Sequence, residues 1–337
     1  MTITSNPINI IFAVNKKYIP YLGVTIASIL RHSSVDNFFK FYIISCEELN
    51  RNLECMVFAD YHNFDISNIV IERAYFNNVP NLPNYITMET YLRLLIPKIF
   101  RELDLCIYID VDLVLNQDIT ELCKTNLDNF YLGAVIDYYG RYNFYRTSDK
   151  SKIIKKYGLK NQIYINAGVL LFNLKAIREN HAENLLMDTL INYARDEDIK
   201  FGDQDIINIA FNGRIKTLDP RWNVIVTSEY RPQADCFVIH WAGSRKPWNW
   251  PPLPFTGIYL ENARITPFYE LIITALRKEV DDIFKKFKIY QKKLTITGIL
   301  YKQLKLKIIR KKHIHYEEKI ANYWVSDELK KIVNKYE

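Results

Sequence analysis

Two segments more than a hundred residues apart carry side chains whose types and spacing suit metal and phosphate chemistry. Leu105–Ile119 reads LCIYIDVDLVLNQDI, and Ile239–Trp248 reads IHWAGSRKPW. The first is an apolar stretch that runs out into two carboxylates, Asp110 and Asp112. The second offers the imidazole of His240, a small turn containing Gly243, and the cation Lys246. Side chains alternate along a strand, so Asp110 and Asp112 point one way and Val111 the other. Two carboxylates on one side repel unless a cation lies between them. Hard oxygen ligands suit Mg²⁺ or Mn²⁺, and an added imidazole shifts the preference toward Mn²⁺. With Lys246 alongside, this is equipment for holding a sugar-nucleotide diphosphate.

An Asp-x-Asp triplet alone carries little weight, and the chain has three: Asp110/Asp112, Asp196/Asp198 and Asp203/Asp205. Asp196/Asp198 sits in the charged run RDEDIK and reads as a solvated face. Asp110/Asp112 is set apart by Leu105–Ile109, which is apolar and rich in β-branched and aromatic residues, as a strand covered on both faces should be. In open α/β sheets, ligands bind beyond the carboxyl ends of the strands, where this pair would lie.

The elements that must position these groups alternate in type. Asn9–Val14 reads as a first strand and Ile19–His32 as a helix. Phe39–Ser45 is a second strand, followed by a helix over Glu47–Tyr61 and a short strand near Ile69–Ile71. Asn77–Asn84 is a Pro/Asn loop, and Thr87–Phe100 has helical spacing with Pro97 near its end. Further strands are expected at Leu105–Ile109, Tyr131–Ile136, Tyr164–Phe172 and Cys236–Ile239, with a helix opening at Asp203–Phe211. Strands alternating with helices argue for an α/β fold with a mixed, mostly parallel sheet flanked by helices. From Pro267 onward the pattern is helical and increasingly basic.

Bulk properties narrow the function classes. The 337 residues, 49% hydrophobic and 14% aromatic, suffice for one large α/β domain with an appendage. No apolar run approaches the roughly 18–20 residues that span a bilayer. No basic segment precedes an apolar stretch at the N-terminus, so a secretory signal is not expected. Five scattered cysteines without metal spacing fit a reducing cytoplasm. The net charge of +7 belongs to the tail: residues 277–337 hold 17 Lys/Arg against 8 Asp/Glu, and Ile283–Tyr316 has no acidic residue. That segment interleaves Lys and Arg with Ile, Leu, Phe and Tyr, so its basic face suits an anionic membrane surface. A surface helix packed on the core is the alternative. Nucleic-acid binding is not expected, because no nucleic-acid motif accompanies the charge. We therefore expect a domain over 1–276 and a basic helical extension over 277–337.

The motifs FAVNKKYIPYLGVTIASI, YLRLLIP, YIDVDLVLNQDI, YINAGVLLFNL, FGDQDIIN and HWAGSRKPW, in this order over about residues 8–275, resemble glycosyltransferase family 8, in particular the bacterial lipopolysaccharide galactosyl- and glucosyltransferases. The resemblance implies a glycosyltransferase-A-type, Rossmann-like fold, a UDP-galactose or UDP-glucose donor, a Mn²⁺ (or Mg²⁺) cofactor and retention of anomeric configuration. It also implies a lipopolysaccharide-type or other glycan acceptor, and a peripheral place on the cytoplasmic face of the inner membrane.

By that resemblance Asp110, Asp112 and His240 bind the metal that bridges the donor's two phosphates, while Lys246, the Gly243 backbone and the Val111 segment contact the same diphosphate. Without the Asp pair, His240 would read as an ordinary buried histidine. The loop of Ala13, Val14, Asn15, Lys17 and Tyr18 would hold the uridine, with Tyr18 as a stacking surface. Asn15 departs from the family, which has an acidic residue there; an amide carbonyl still accepts the uracil N–H. Lys16 and Lys17 read equally as solvated surface. Arg93 would sit near the donor sugar and phosphate, or else in a surface salt bridge. Asn166, Ala167 and Gly168 would line the sugar pocket. Asp137, Asp203 and Gln204 would bond sugar hydroxyls or lie beneath the reacting carbon, and Asp203 also suits a helix N-cap. Gln204 is a poor nucleophile where a retaining glycosidase places a carboxylate, so same-face substitution is expected, with the leaving phosphate assisting deprotonation of the acceptor.

Three other functions compete. A sugar-nucleotide pyrophosphorylase would want a Gly-rich basic loop after the first strand, which FAVNKKYIPY does not supply. An inactive glycan-binding relative at the membrane is suggested by Asn15 and opposed by the intact Asp110, Asp112 and His240. A self-glucosylating primer is compatible with the 24 tyrosines.

Overall fold

The structure is a computed structural model. It describes residues 7–285 apart from 59, 77–78, 80–87, 138–143, 194, 227–234, 251–252, 280–281 and 283–284. The basic tail beyond 285 and most of the Asn77–Asn84 loop lie outside the described residues.

Seven strands make the main sheet: β1 (Ile8–Ala13), β2 (Phe39–Ser45), β3 (Phe64–Val70), β4 (Leu105–Ile109), β6 (Leu132–Ile136), β7 (Ile165–Asn173) and β8 (Ile215–Thr217). Their order is β3-β2-β1-β4-β7-β6-β8. Only β7 runs against its neighbours, β4 and β6; the other pairs are parallel. A second sheet, in the order β5-β10-β9, joins β5 (Leu113–Leu115), β9 (Val224–Ile225) and β10 (Val238–His240).

The apolar runs explain the layering. Along β1, Ile10 and Phe12 face one core and Ile11 the other; along β4, Ile107 and Ile109 oppose Cys106 and Tyr108. Both faces are covered, so both alternation classes are apolar. The helix Ile19–His32, which we label α1, packs into the first core through Leu22, Ile26 and Ile29. The helix Asp203–Ala210 supplies Ile206 and Ile207 to the second. A third cluster, including Val114, Ile239, Trp241 and Tyr259, covers the small sheet.

Several expected elements differ. The expected helix over Glu47–Tyr61 is a single turn, Asn50–Leu53, because Met56 and Phe58 leave the helical path to bury themselves in the first core. Thr87–Phe100 is not continuous: the described part is Met88–Leu92, a tighter turn at Arg93–Leu95, and Ile96–Ile99 with Pro97 in its first turn. The strand near Ile69–Ile71 is the longer β3. The last expected strand shifts to end on His240, and residues 269–279 are helical as expected.

Strand direction decides where chemistry collects. β1, β4 and β6 finish at one edge of the main sheet, and reversed β7 starts there. Ile109 pairs with Val169 and Ile136 with Ile165. The loop after β1, the Asp110 segment, Asp137 and Asn166–Gly168 therefore emerge side by side.

Candidate functional site

After β4 the chain bends through residues 110–112 and enters β5 in the other sheet. α1 fixes this bend. Its fully buried Thr25 donates to the carbonyls of Leu113 (2.9 Å) and Val111 (3.3 Å), and its Ser28 Oγ accepts from Leu115 N–H (3.0 Å). Asp110 N–H donates to Gly168 O, and Trp241 N–H donates to Asp112 O, each at 2.9 Å. Because β10 pairs with β5 and sets His240 opposite Leu113, the imidazole arrives beside the carboxylates. Ligating atoms of Asp110, Asp112 and His240 all lie within 4.8 Å of one another. His240 Nε2 is 3.2 Å from Asp112 Oδ1, and its Nδ1 is 2.8 Å from Asn223 Oδ1.

This set fits a divalent ion. Two carboxylates and an imidazole converge on one point, the His ring is held from its far side, and mixed O/N donors favour Mn²⁺-type ions over Mg²⁺. Lys246 Nζ bonds Asp112 Oδ2 and the Trp241 carbonyl. Burial opposes charge on Asp112, but Lys246 and His240 outweigh it and hold the carboxyl well below the usual range. Gly243 has φ +101°, a conformation that favours glycine.

Arg93 is not a surface residue. Only 6% exposed, it bridges Asp110 Oδ1 (2.9 Å) and Asp203 Oδ2 (3.0 Å), donates to Ala167 O (2.6 Å) and lies 4.5 Å over the Tyr108 ring. Burial disfavours its charge, but the two carboxylates outweigh that and raise its pKa. Asp203 opens its helix and is 4% exposed; burial pushes its carboxyl up to about 7, with Arg93 pulling against the rise. Gln204 Oε1 accepts from Asn166 Nδ2 (3.1 Å) and Ala167 N–H (3.2 Å), and its Nε2 donates to Asp137 Oδ2 (3.0 Å). Asp137 is ion-paired with buried Lys150 at 2.8 Å.

These groups line one cleft of about 410 Å³ that runs from Ala13, Val14, Asn15 and Tyr18 past the carboxylates to Asp137 and Gln204. Lys17 stands apart: it is exposed, does not line the cleft, and its backbone N–H caps onto Asn15 Oδ1 at 3.1 Å. The Asn15 carbonyl keeps one lone pair for another donor. Tyr18 packs edge-on against Tyr21 and Trp248, which stack at 3.8 Å. Glu89, Thr90, Lys200, Phe201, Ile225 and Ala242 also line the cleft; none of them was singled out by sequence, although Phe201 and Ala242 fall within the FGDQDIIN and HWAGSRKPW motifs. Asp205 accepts from the backbone N–H of Lys200 and Phe201 and from Tyr164; it shapes the loop before the helix. Asp196 and Asp198 pair with Lys156 at the surface, as expected of a solvated face.

The glycosyl transferase family 8 model matches residues 9–250. A lipopolysaccharide 1,2-glucosyltransferase of Escherichia coli is 26% identical over 318 residues, covering 88% of this chain and 91% of that protein. Among solved structures, the galactosyltransferase LgtC in complex with donor and acceptor sugar analogs is 24% identical, with a TM-score of 0.65, covering 77% of this chain and 96% of that one. The bifunctional glycosyltransferase WbbM is 22% identical with a TM-score of 0.63, covering 82% of this chain; this chain spans 52% of its length. The fold is thus of the glycosyltransferase-A type.

Proposed function

We propose, from the premise that the chain belongs to glycosyl transferase family 8, that it moves a hexose, galactose or glucose, from a UDP-sugar to a glycan or lipid-linked acceptor with retention of configuration. The observation that carries this reading is the convergence of Asp110, Asp112 and His240 in a cleft that also holds Lys246 and the loop after β1. The named relatives include a lipopolysaccharide glucosyltransferase and a galactosyltransferase, which supports a surface-glycan role and leaves both hexoses in play.

In this reading Asp110, Asp112 and His240 hold Mn²⁺ (or Mg²⁺), which when bound supplies Lewis-acid neutralisation of the departing diphosphate. Lys246 and the Gly243 backbone give the diphosphate a point charge and a close backbone approach. Tyr18 and Asn15 face the base. Arg93, held between Asp110 and Asp203, stays charged and fixes both carboxylates. Gln204 presents an amide to the reacting carbon. An amide is a poor nucleophile, so same-face substitution is favoured, with catalysis drawn from positioning and electrostatics. The intact metal-ligand set argues against an inactive glycan-binding relative.

We assign the tail beyond residue 276 to attachment at an anionic membrane surface on the cytoplasmic face, which its sequence charge supports. Among the described residues no helix is long and apolar enough to cross a membrane. Flotation with anionic vesicles tests the assignment; equal binding by tail-deleted protein refutes it.

The experiment for the function is UDP release from a panel of UDP-sugars, with and without Mn²⁺, by wild type and by Asp110→Asn and Asp112→Asn. Metal-dependent turnover of one UDP-hexose, lost in both variants, supports the reading and names the donor. Absence of turnover together with absence of metal-dependent UDP binding refutes it.

A further inference from the structure

A row of hydrogen-bonded side chains leads away from His240. Its Nδ1 meets Asn223 Oδ1 at 2.8 Å; Asn223 Nδ2 meets Asn166 Oδ1 at 2.8 Å; Asn166 Nδ2 meets Gln204 Oε1 at 3.1 Å; Gln204 Nε2 meets Asp137 Oδ2 at 3.0 Å. His240, Asn223 and Asn166 are 2%, 5% and 7% exposed, so solvent cannot readily substitute for a lost partner.

The direction of every bond in this row is forced. The Ala167 N–H can only donate, and it meets Gln204 Oε1 at 3.2 Å; the Asp137 carboxylate, paired with Lys150, accepts from the other end of the same amide. Gln204 therefore presents its oxygen to Asn166, whose Nδ2 must donate. The Gly168 N–H meets Asn166 Oδ1 at 2.9 Å and fixes that amide a second time, independently. Asn166 Oδ1 being an acceptor, Asn223 must turn its Nδ2 toward it and its Oδ1 toward the imidazole. The reverse orientation of Asn223 would set two oxygens against each other at 2.8 Å in a buried site and forfeit the bond. Facing a fixed acceptor, His240 Nδ1 must carry a proton, which leaves Nε2 as the nitrogen turned toward Asp112.

We propose that Asn223 is a positioning residue: it fixes the tautomer and ring angle of His240, and with Asn166 and Gln204 it joins the metal ligands to Asp137 in a single hydrogen-bonded row. The residue is buried behind the cleft and does not line it. It lies in the turn Pro220–Asn223 between Asp219 and β9, and β9 pairs with β10 so that His240 stands opposite Ile225. The small sheet thereby carries both the ligand and the group that aims it. Groups that orient a ligating histidine typically change metal affinity by 10–100-fold when removed. The proposal rests on the metal-site reading above and is independent of which donor is used.

The test uses full-length protein with ¹⁵N-labelled histidine, and His240 is assigned through His240→Gln. Long-range ¹⁵N–¹H correlation at about pH 8, with and without the diamagnetic probe Mg²⁺, reports which ring nitrogen carries a proton. A proton on Nδ1 in both conditions is expected; a bare Nδ1 with the proton on Nε2 overturns the proposal from wild type alone, even if no variant folds. Asn223→Leu should release the tautomer preference and weaken Mn²⁺ binding, measured by the EPR signal of free Mn²⁺, by about 10–100-fold. Asn223→Asp, which still accepts from Nδ1, should keep the Nδ1 proton, but its second oxygen faces Asn166 Oδ1 where the Nδ2 bond is lost, so only part of the affinity should return. Folded Asn223→Leu with wild-type tautomer and wild-type Mn²⁺ affinity also overturns it. Because the tautomer is read apart from turnover, failure of the transferase reading and failure of this one are told apart.

Discussion

Gly168→Ala tests how closely the proposed metal ligands are fitted to the main sheet. A Cβ on Gly168 would stand 2.4 Å from His240 Cε1, 2.8 Å from Nδ1 and 3.0 Å from Asn166 Oδ1. Ordinary contact begins near 3.4 Å, so the ring must retreat by about 1 Å. The strand cannot give way instead, because Gly168 O holds Asp110 N–H at 2.9 Å and Gly168 N–H holds Asn166 Oδ1; moving it drags another ligand. Metal–ligand distances tolerate about ±0.2 Å, so a 1 Å retreat removes His240 from the set. We expect Mn²⁺ affinity to fall at least about 100-fold, equivalent to about 2.7 kcal/mol, together with about 1–3 kcal/mol of stability from overpacking. Gly243→Ala is the control. No atom lies within 4 Å of its added Cβ, but φ is +101°, so it should lose stability through strain and keep nucleotide-free Mn²⁺ affinity. EPR titration of free Mn²⁺ and urea unfolding of both variants supply the readouts. Folded Gly168→Ala with wild-type Mn²⁺ affinity would refute the reasoning.

Three further outcomes follow from the same contacts. Burial lifts the folded-state pKa of Asp203 toward about 7, from 3.8 in the unfolded chain, with the Arg93 ion pair pulling against the rise; the stability this contributes is complete below about pH 4 and is lost as pH rises through 7. Relative to Asp203→Asn, wild type should therefore lose stability across that window in urea unfolding, and a pH-independent difference would count against it. Lys150→Met removes the ammonium paired at 2.8 Å with the 5%-exposed Asp137 carboxylate and should destabilise the fold, by up to about 3–5 kcal/mol, with Lys150→Met/Asp137→Leu recovering part of the loss; equal stability of Lys150→Met and wild type would refute this. Gln204→Ala should retain measurable turnover and near-wild-type Mn²⁺ affinity, since the Gly168 N–H still fixes Asn166; complete loss of turnover with no detectable glycosyl-enzyme would leave same-face substitution unsupported.

What could be read from sequence depended on whether a pattern was local. β4 and the two carboxylates behind it were legible because LCIYI is a continuous apolar run ending in alternating acids. His240 was legible through its distinctive flanks, Trp241 to Lys246. The reversal of β7 was not, since YINAGVLLFN reads the same in either direction; yet that reversal brings Asn166–Gly168 to the edge where β4 and β6 finish. Arg93 was expected near the donor sugar and phosphate or in a surface salt bridge; its buried bridge could not be read, because its partners Asp110 and Asp203 come from distant segments. Asn223 carried no signal: an Asn in a PRWN turn is ordinary, and its meaning comes from residues 17 and 57 positions away. The single-turn Asn50–Leu53 failed the periodicity reading because burial of Met56 and Phe58 overrode local preference.

The bend at residues 110–112 has a consequence for folding equilibria. Asp110 leaves the main sheet, Asp112 enters the small one, and His240 ends the strand paired with β5. An ion held by the three, as proposed above, would fasten two sheets that are otherwise joined by the chain through residues 110–112, by packing and by hydrogen bonds such as Asn223 to Asn166. By mass action an ion at 100 times its dissociation constant adds about 2.7 kcal/mol to whatever opening separates them. Amide protons of β5, β9 and β10 should then exchange more slowly as the ion is titrated in, whereas those of β3, at the far edge of the main sheet, should not respond. Cation supply would set how often the small sheet opens, with no change in the sequence of either sheet.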